Sequence, residues 1–268
     1  MSAEGRADWG ERVRSGGRLV VDGLSLAGAG WTVSGIETAL EASSLFPLIL
    51  PEGHLIAIEG LQAGLRFDAG AAAIGVADNR LSVQAMGFGL ADGAVVVEPF
   101  SVSPGDPEQR LDLEVERVDL ARVSEQVAIE GLSVTGLISG TVPLRLSDDT
   151  ISIDNGVLET VEPGVIRYEA SLPEGIAAGD GGIGLLLSAV RDFRYRTLRA
   201  TLNGRTGDDL TVGIRVEGAN PALYEGFPVA LNINLTGALD QILRRGLDTL
   251  GIADEAGDLI RRQAPQSP

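Results

Sequence analysis

Aliphatic and polar residues alternate with a period of two along much of this 268-residue chain. Leu111, Leu113 and Val115 interleave with Asp112, Glu114 and Glu116. Val142, Leu144 and Leu146 flank Pro143 and Arg145, and Ile151 and Ile153 resume the pattern after Asp148-Asp149. Leu210, Val212, Ile214 and Val216 alternate with Thr211, Gly213, Arg215 and Glu217, as do Leu231, Ile233 and Leu235 with Asn232, Asn234 and Thr236. Successive side chains of a strand point to opposite faces, so each run buries one face and wets the other. A helix repeats every three to four residues and does not generate this pattern. The expectation is an all-β, mainly antiparallel fold whose core is aliphatic, because apolar residues make up 44% of the chain and aromatic ones only 4%.

Turn chemistry separates the runs at Asp22-Gly23, Ala91-Asp92-Gly93, Pro104-Gly105-Asp106, Asp154-Asn155-Gly156, Pro163-Gly164 and Asn203-Gly204. This spacing predicts a meander of roughly a dozen strands. Residues 1–17 are charged and glycine-rich, with no apolar stretch of a signal peptide, and read as a flexible N-terminal segment, residues 18–236 as the β-groove domain with a soft break at 173–182, and residues 237–268 as an amphipathic helix and polar tail. Two short helices are expected. One spans 183–193, with Ile183, Leu186, Leu187 and Val190 on one stripe; the other is a C-terminal amphipathic helix built on Leu239, Ile242, Leu243, Leu247 and Leu250.

A one-sided sheet must cover its apolar face. It either pairs with a second sheet, giving a closed sandwich of a structural scaffold, or curls into an open trough. The residues that would line such a trough are Leu111, Leu113, Val115, Val142, Leu144, Leu146, Ile151, Ile153, Leu210, Val212, Ile214, Val216, Leu231, Ile233 and Leu235. Periodicity alone leaves both forms open.

Charge and composition remove several classes of function. A net charge of −17 repels a phosphate backbone, so no nucleic-acid partner is expected. The chain has no cysteine and one histidine, His54, which leaves no thiolate nucleophile and no histidine-rich metal site. Residues 179–184 (GDGGIG) match a dinucleotide-binding string, but a turn-like segment precedes them and no acidic residue lies between Asp192 and Asp208 to bind a ribose. Asp148-Asp149 and Asp208-Asp209 lack the spacing of a calcium loop and sit where hairpins favour Asp. No catalytic residue, cofactor or metal ligand is predicted, and no run of about 18 apolar residues crosses a bilayer.

Longer blocks resemble a known family. Residues 118–123 (VDLARV), 132–144 (LSVTGLISGTVPL), 153–158 (IDNGVL) and 164–168 (GVIRY) resemble the recurring AsmA-like block, in which a "VDL" strand leads to a hairpin and an acidic turn. Residues 187–195 (LSAVRDFRY), 217–221 (EGANP) and 228–234 (PVALNIN) are similar to its YdbH-like branch, also labelled "dicarboxylate transport". The resemblance covers residues 24–243. It implies a bridge-like lipid transfer protein of the Gram-negative periplasm, with phospholipid acyl chains held in a long hydrophobic β-groove between inner and outer membranes. It also implies that this is the end nearest the outer membrane, where a small outer-membrane lipoprotein adds a strand to the open sheet edge. Family members are several times longer and begin with a transmembrane anchor, neither of which is in this sequence. No cluster of Arg or Lys on facing strands supports dicarboxylate binding.

Overall fold

The structure, a computed structural model, describes residues 1–8, 14–28, 31–147, 150–169, 188–205, 211–223, 226 and 228–236. The first half comprises β1 (Ser2–Asp8), β2 (Arg14–Gly28), β3 (Trp31–Ala42), β4 (Ser44–Leu45), β5 (Leu48–Ile58), β6 (Gly60–Ala63), β7 (Leu65–Phe67), β8 (Gly70–Ala77), β9 (Arg80–Leu90), β10 (Gly93–Val97) and β11 (Phe100–Val102). After β12 (Glu108–Asp119) comes a helix, α1 (Leu120–Val127). The chain continues through β13 (Leu132–Val134), β14 (Leu137–Ser147), β15 (Thr150–Glu162), β16 (Gly164–Tyr168), β17 (Phe193–Arg205), β18 (Thr211–Ala219) and β19 (Val229–Thr236).

All strand pairs are antiparallel and belong to one extended sheet, open rather than closed into a barrel. Its main ladder runs β1, β2, β3, β5, β8, β9, β10, β12, β14, β15, β17, β18, β19. The closed sandwich is therefore not the form adopted; there is one sheet, with the short β13–β16 pair folded beside it. Residues 2–8, expected to be flexible, form β1 and pair with residues 14–20. Backbone ladder bonds do not depend on side-chain pattern, so a glycine-rich segment gives little sign of them.

Two expected turns are bulges within long strands instead. Gly23 has φ +66° inside β2 and Asn155 has φ +55° inside β15, whereas Gly204, at φ +122°, follows Asn203, the last β17 residue paired with β18. Register shifts accompany them at Val21/Leu24 and Ile153/Gly156. The extra residue in each bulge needs a left-handed backbone, which the same Asn and Gly also supply to turns, so composition does not separate the two. The mechanical outcome differs. A turn reverses a strand, whereas a bulge bends it, and bulges repeated on neighbouring strands curl the sheet. True two-residue turns occur at Asp78-Asn79 and Ala91-Asp92, both residues of each pair having positive φ.

The expected "VDL" strand stops at Asp119, and α1 begins at Leu120. The Asp119 carboxylate accepts the Ala121 N–H at 2.7 Å and caps the helix. Ala128, in the left-handed region, ends it. Of the 183–193 helix, residues 188–190 are helical, 180–187 lie outside the described residues, and Phe193 already belongs to β17. The C-terminal helix over 237–268 and the glycine string 179–184 also lie outside them. None of the helices among the described residues is long and apolar enough to cross a membrane.

Candidate functional site

Directly opposed residues of an antiparallel ladder share a face, so register shows which side chains line up. One row crosses the sheet as Ile58, Gly70, Phe88, Val95, Val115, Gly140, Leu158, Ala200, Ile214 and Ile233. A second begins at Val21 and passes Thr38, Ile56, Ala72, Met86, Val97 and Leu113 to Val142. A third joins Leu111, Leu144, Ile153 and Gly204, and Leu146 faces Ile151 beside it. Leu198, Val216 and Leu231 form another. At a strand spacing of about 4.8 Å, the rows from β2 to β19 extend roughly 50 Å.

Every described residue of the predicted lining thus occupies one face. Val115, Val212 and Val216 are buried; Leu111, Leu113, Val142, Leu144, Leu146, Ile153, Ile214, Leu231 and Ile233 are half-buried; Ile151 is 43% exposed. Leu235 holds the register position opposite Val212, and Leu210 lies outside the described residues. Sequence reading missed the continuation of the same face through Ile56, Ala72, Met86, Phe88, Val95 and Val97. The β8 and β10 segments, GAAAIGVA and GAVVV, are apolar on both faces and hide their alternation. Counting parity through the Ala91-Asp92 turn would have recovered Met86 and Phe88 from Val95 and Val97, whereas Ile56 and Ala72 lie beyond a register shift between β8 and β9 that parity does not reveal.

The two long margins of this face differ. At one, Leu120 and Val123 of α1 pack with Leu65 and Phe67 of β7 against Leu90, Val118, Ile138, Phe193 and Tyr195. There Phe193 is 0%, Tyr195 1% and Val118 2% exposed. The Gln126 amide completes this margin by accepting the Arg66 N–H at 2.8 Å, as a neighbouring strand would. At the other margin Leu146 and Ile151 stay partly in solvent. The outward face carries ion pairs instead: Arg117–Glu162 at 2.7 Å, Arg215–Glu217 at 3.0 Å, and Arg199–Glu159. Exposed pairs of this kind contribute at most about 1 kcal/mol each, so they keep that face wet more than they hold the fold.

The recurring blocks have structural explanations here. The Tyr195 hydroxyl donates to the Thr135 carbonyl at 2.6 Å. A Cβ on Gly136 would fall 2.1 Å from that hydroxyl, and its φ of +120° suits glycine alone. Asn220 donates to the Ser188 and Ala189 carbonyls and accepts the Ala222 N–H, closing the 188–190 turn onto β18. Burial, reinforced by the negative charge of Asp119, pushes the Tyr195 phenol up to about 12. The unfolded phenol ionises near 10, so this contribution to stability is complete below about pH 10 and is lost as the pH rises toward about 12. The urea midpoint is expected to fall across that window, and to fall less in Tyr195→Phe, as equilibrium denaturation at stepped pH would record.

Both ring nitrogens of His54 are engaged by backbone groups. Its Nε2 accepts the Glu41 N–H at 3.0 Å, and Nδ1 therefore carries the proton that goes to the Pro51 carbonyl at 2.8 Å.

An open antiparallel sheet with one continuous aliphatic face, and paired charges on the other, defines a one-sided β-groove protein. No curated protein and no solved structure matches the chain. The model of the YdbH-like family, described as intermembrane phospholipid transport protein YdbH, matches residues 1–249, and the chain belongs to that family. Its established role is transport of phospholipid between the membranes of the cell envelope, and the family is not in general an enzymatic one.

Proposed function

We propose that phospholipid acyl chains lie along the apolar face in the periplasm, crossing the strands, and that the chain passes them on without chemical change. The observation that carries this reading is the unbroken row from Phe88 to Ile233, which crosses the sheet from β9 to β19 with no charged side chain. Burying each methylene there contributes about 0.8 kcal/mol. None of that energy depends on a particular polar contact, so a tail can slide from one row position to the next at little cost. The length of roughly 50 Å exceeds one leaflet of a bilayer whose hydrocarbon core is about 30 Å thick, leaving room for lipids in series.

The edge strands suit a further partner. Among the described residues β19 pairs with β18 alone and β1 with β2 alone. A free row of backbone donors and acceptors is what a small outer-membrane lipoprotein would need to add a strand.

A photo-crosslinking residue at Leu113 or Ile214, on the apolar face, is expected to give phospholipid adducts by mass spectrometry after irradiation in a Gram-negative envelope. The same probe at Glu114 or Asn232, on the opposite face, is expected to give none. Equal labelling of the two faces, or of neither, defeats the groove reading.

A further inference from the structure

The hairpin between β3 and β5 ends in the uncharged run 45–51 (LFPLILP). Phe46 is 83% exposed, Leu48 49% and Ile49 37%, so three large apolar side chains stand together in water. Scattered single exposures are ordinary, but a contiguous apolar tip marks an interaction site.

This tip is firmly held. The Ser43 N–H donates to the Ile49 carbonyl at 2.9 Å, and the Leu45 N–H donates to Ser15 Oγ at 3.0 Å. Leu45 packs over Gly5 and Gly17. His54 ties both legs together through Glu41 on β3 and Pro51 on β5. The apolar side chains therefore project because the fold presents them, not because the loop frays.

Register places the tip on the partly exposed margin of the groove. Leu50 is buried and faces Val76, which faces Leu81, which faces Val102, all on the apolar face. Leu48 alternates with Leu50 and continues that face outward into the tip. The apolar face thus reaches the hairpin along β8, from Ala72 through Ile74 and Val76 to Leu50 and Leu48, with His54 beside Ile74 on β5.

We propose that this hairpin inserts Phe46, Leu48 and Ile49 into the surface of a phospholipid bilayer, setting the groove margin against the membrane. A protein partner is a poorer fit, because a stable interface covers about 800 Å² per side and needs complementary shape, which a narrow convex tip does not offer. A bilayer deforms around a convex apolar wedge, and a few such side chains give weak, reversible attachment. The charges beside the tip are of both signs, with Arg6 and Arg18 on β1 and β2 next to Glu4 and Glu41. Glu41 and Glu52 flank the hairpin, and Arg18 is already within 3.7 Å of Glu41. Attachment is therefore expected to rest on apolar insertion rather than on anionic headgroups.

The test is flotation of the 268-residue chain with vesicles of phosphatidylcholine and phosphatidylethanolamine. The double variant Phe46→Ser/Leu48→Ser is expected to lower the bound fraction at least fivefold while circular dichroism stays unchanged. Replacing about a third of the lipid with phosphatidylglycerol is expected to leave binding level or lower it. Leu144→Asp, which alters the groove and not the tip, is expected to float like the parent chain, so failure of the groove reading and failure of this one are distinguishable. Equal flotation of parent and double variant overturns the proposal, as does a parent that does not float or that floats only with anionic lipid. A parent that fails to float but forms a dimer the double variant lacks assigns the tip to a second copy instead, which also overturns it.

Discussion

Replacing Leu144 or Ile153 with aspartate is expected to lower the phospholipid that co-purifies with the chain by at least about tenfold, because an ionised carboxylate in an acyl path costs several kcal/mol and 1.4 kcal/mol is already a factor of ten. The two residues face each other across β14 and β15, both half-buried, and neither belongs to the buried cluster under α1. Folding therefore loses little, and the melting temperature is expected to stay within a few degrees of the parent's. Asn232→Asp adds the same charge on the opposite face and serves as the control; it is expected to keep its lipid. Quantitative lipid mass spectrometry on the three purified proteins reads the result directly. A Leu144→Asp protein that retains the parent's lipid would sink the groove reading, since no apolar path tolerates a charge at its floor.

The largest loss of stability is expected from the smallest change. A Cβ on Gly164 would lie 1.8 Å from the Thr135 carbonyl oxygen and 2.8 Å from the Tyr195 hydroxyl. The first is backbone, held in place because the Thr135 N–H donates to the Val165 carbonyl at 2.9 Å and the Val165 N–H donates to Thr135 Oγ1 at 3.0 Å, so it cannot step aside as a side-chain end would. Gly164→Ala is expected to cost about 3 kcal/mol or more, at the upper end for overpacking, because relief requires moving β16 away from β13 and breaking the Tyr195 bond. Gly53→Ala makes the useful contrast. Nothing lies within 4 Å of its added Cβ, and only a φ of +87° opposes it, so about 1 kcal/mol is expected. Urea midpoints of the two variants separate steric locking from backbone strain. Similar midpoints would mean that the margin under α1 is not close-packed.

The two substitutions probe parts of the chain that differ in how plainly the sequence announced them. Leu144 and Ile153 were legible, since strict alternation survives wherever one face is wet and the other is not. Phe88 and Val95 were not, because their strands are flanked by alanine, glycine and valine on the second face too, and period two disappears when both faces are apolar. Gly136 stood out only as a member of a recurring block, and Gly164 only as that and as half of a turn signal. Their reason, a tyrosine hydroxyl and a carbonyl arriving from β17 and from residue 135, depends on contacts between positions far apart in the chain. Asp22-Gly23 and Asp154-Asn155-Gly156 carried real information about backbone handedness, yet the same left-handed residue serves a turn or a bulge. Partner strands decide between them by supplying ladder bonds on both sides.

Local rules thus determined that this chain is antiparallel β, aliphatic on one face, polar on the other, and without a cysteine or a second histidine. Those properties follow from period, composition and residue count, which need no knowledge of distant neighbours. Only the tertiary structure decided that the strands form a single open sheet rather than two stacked ones, that bulges stand at Gly23 and Asn155 where reversals were expected, and that α1 closes one margin while the 45–51 hairpin stands at the other. Each of those outcomes turns on which backbone groups and which side chains meet across the sheet. Such pairings are set by the free energy of the whole chain and leave no periodic mark on its sequence.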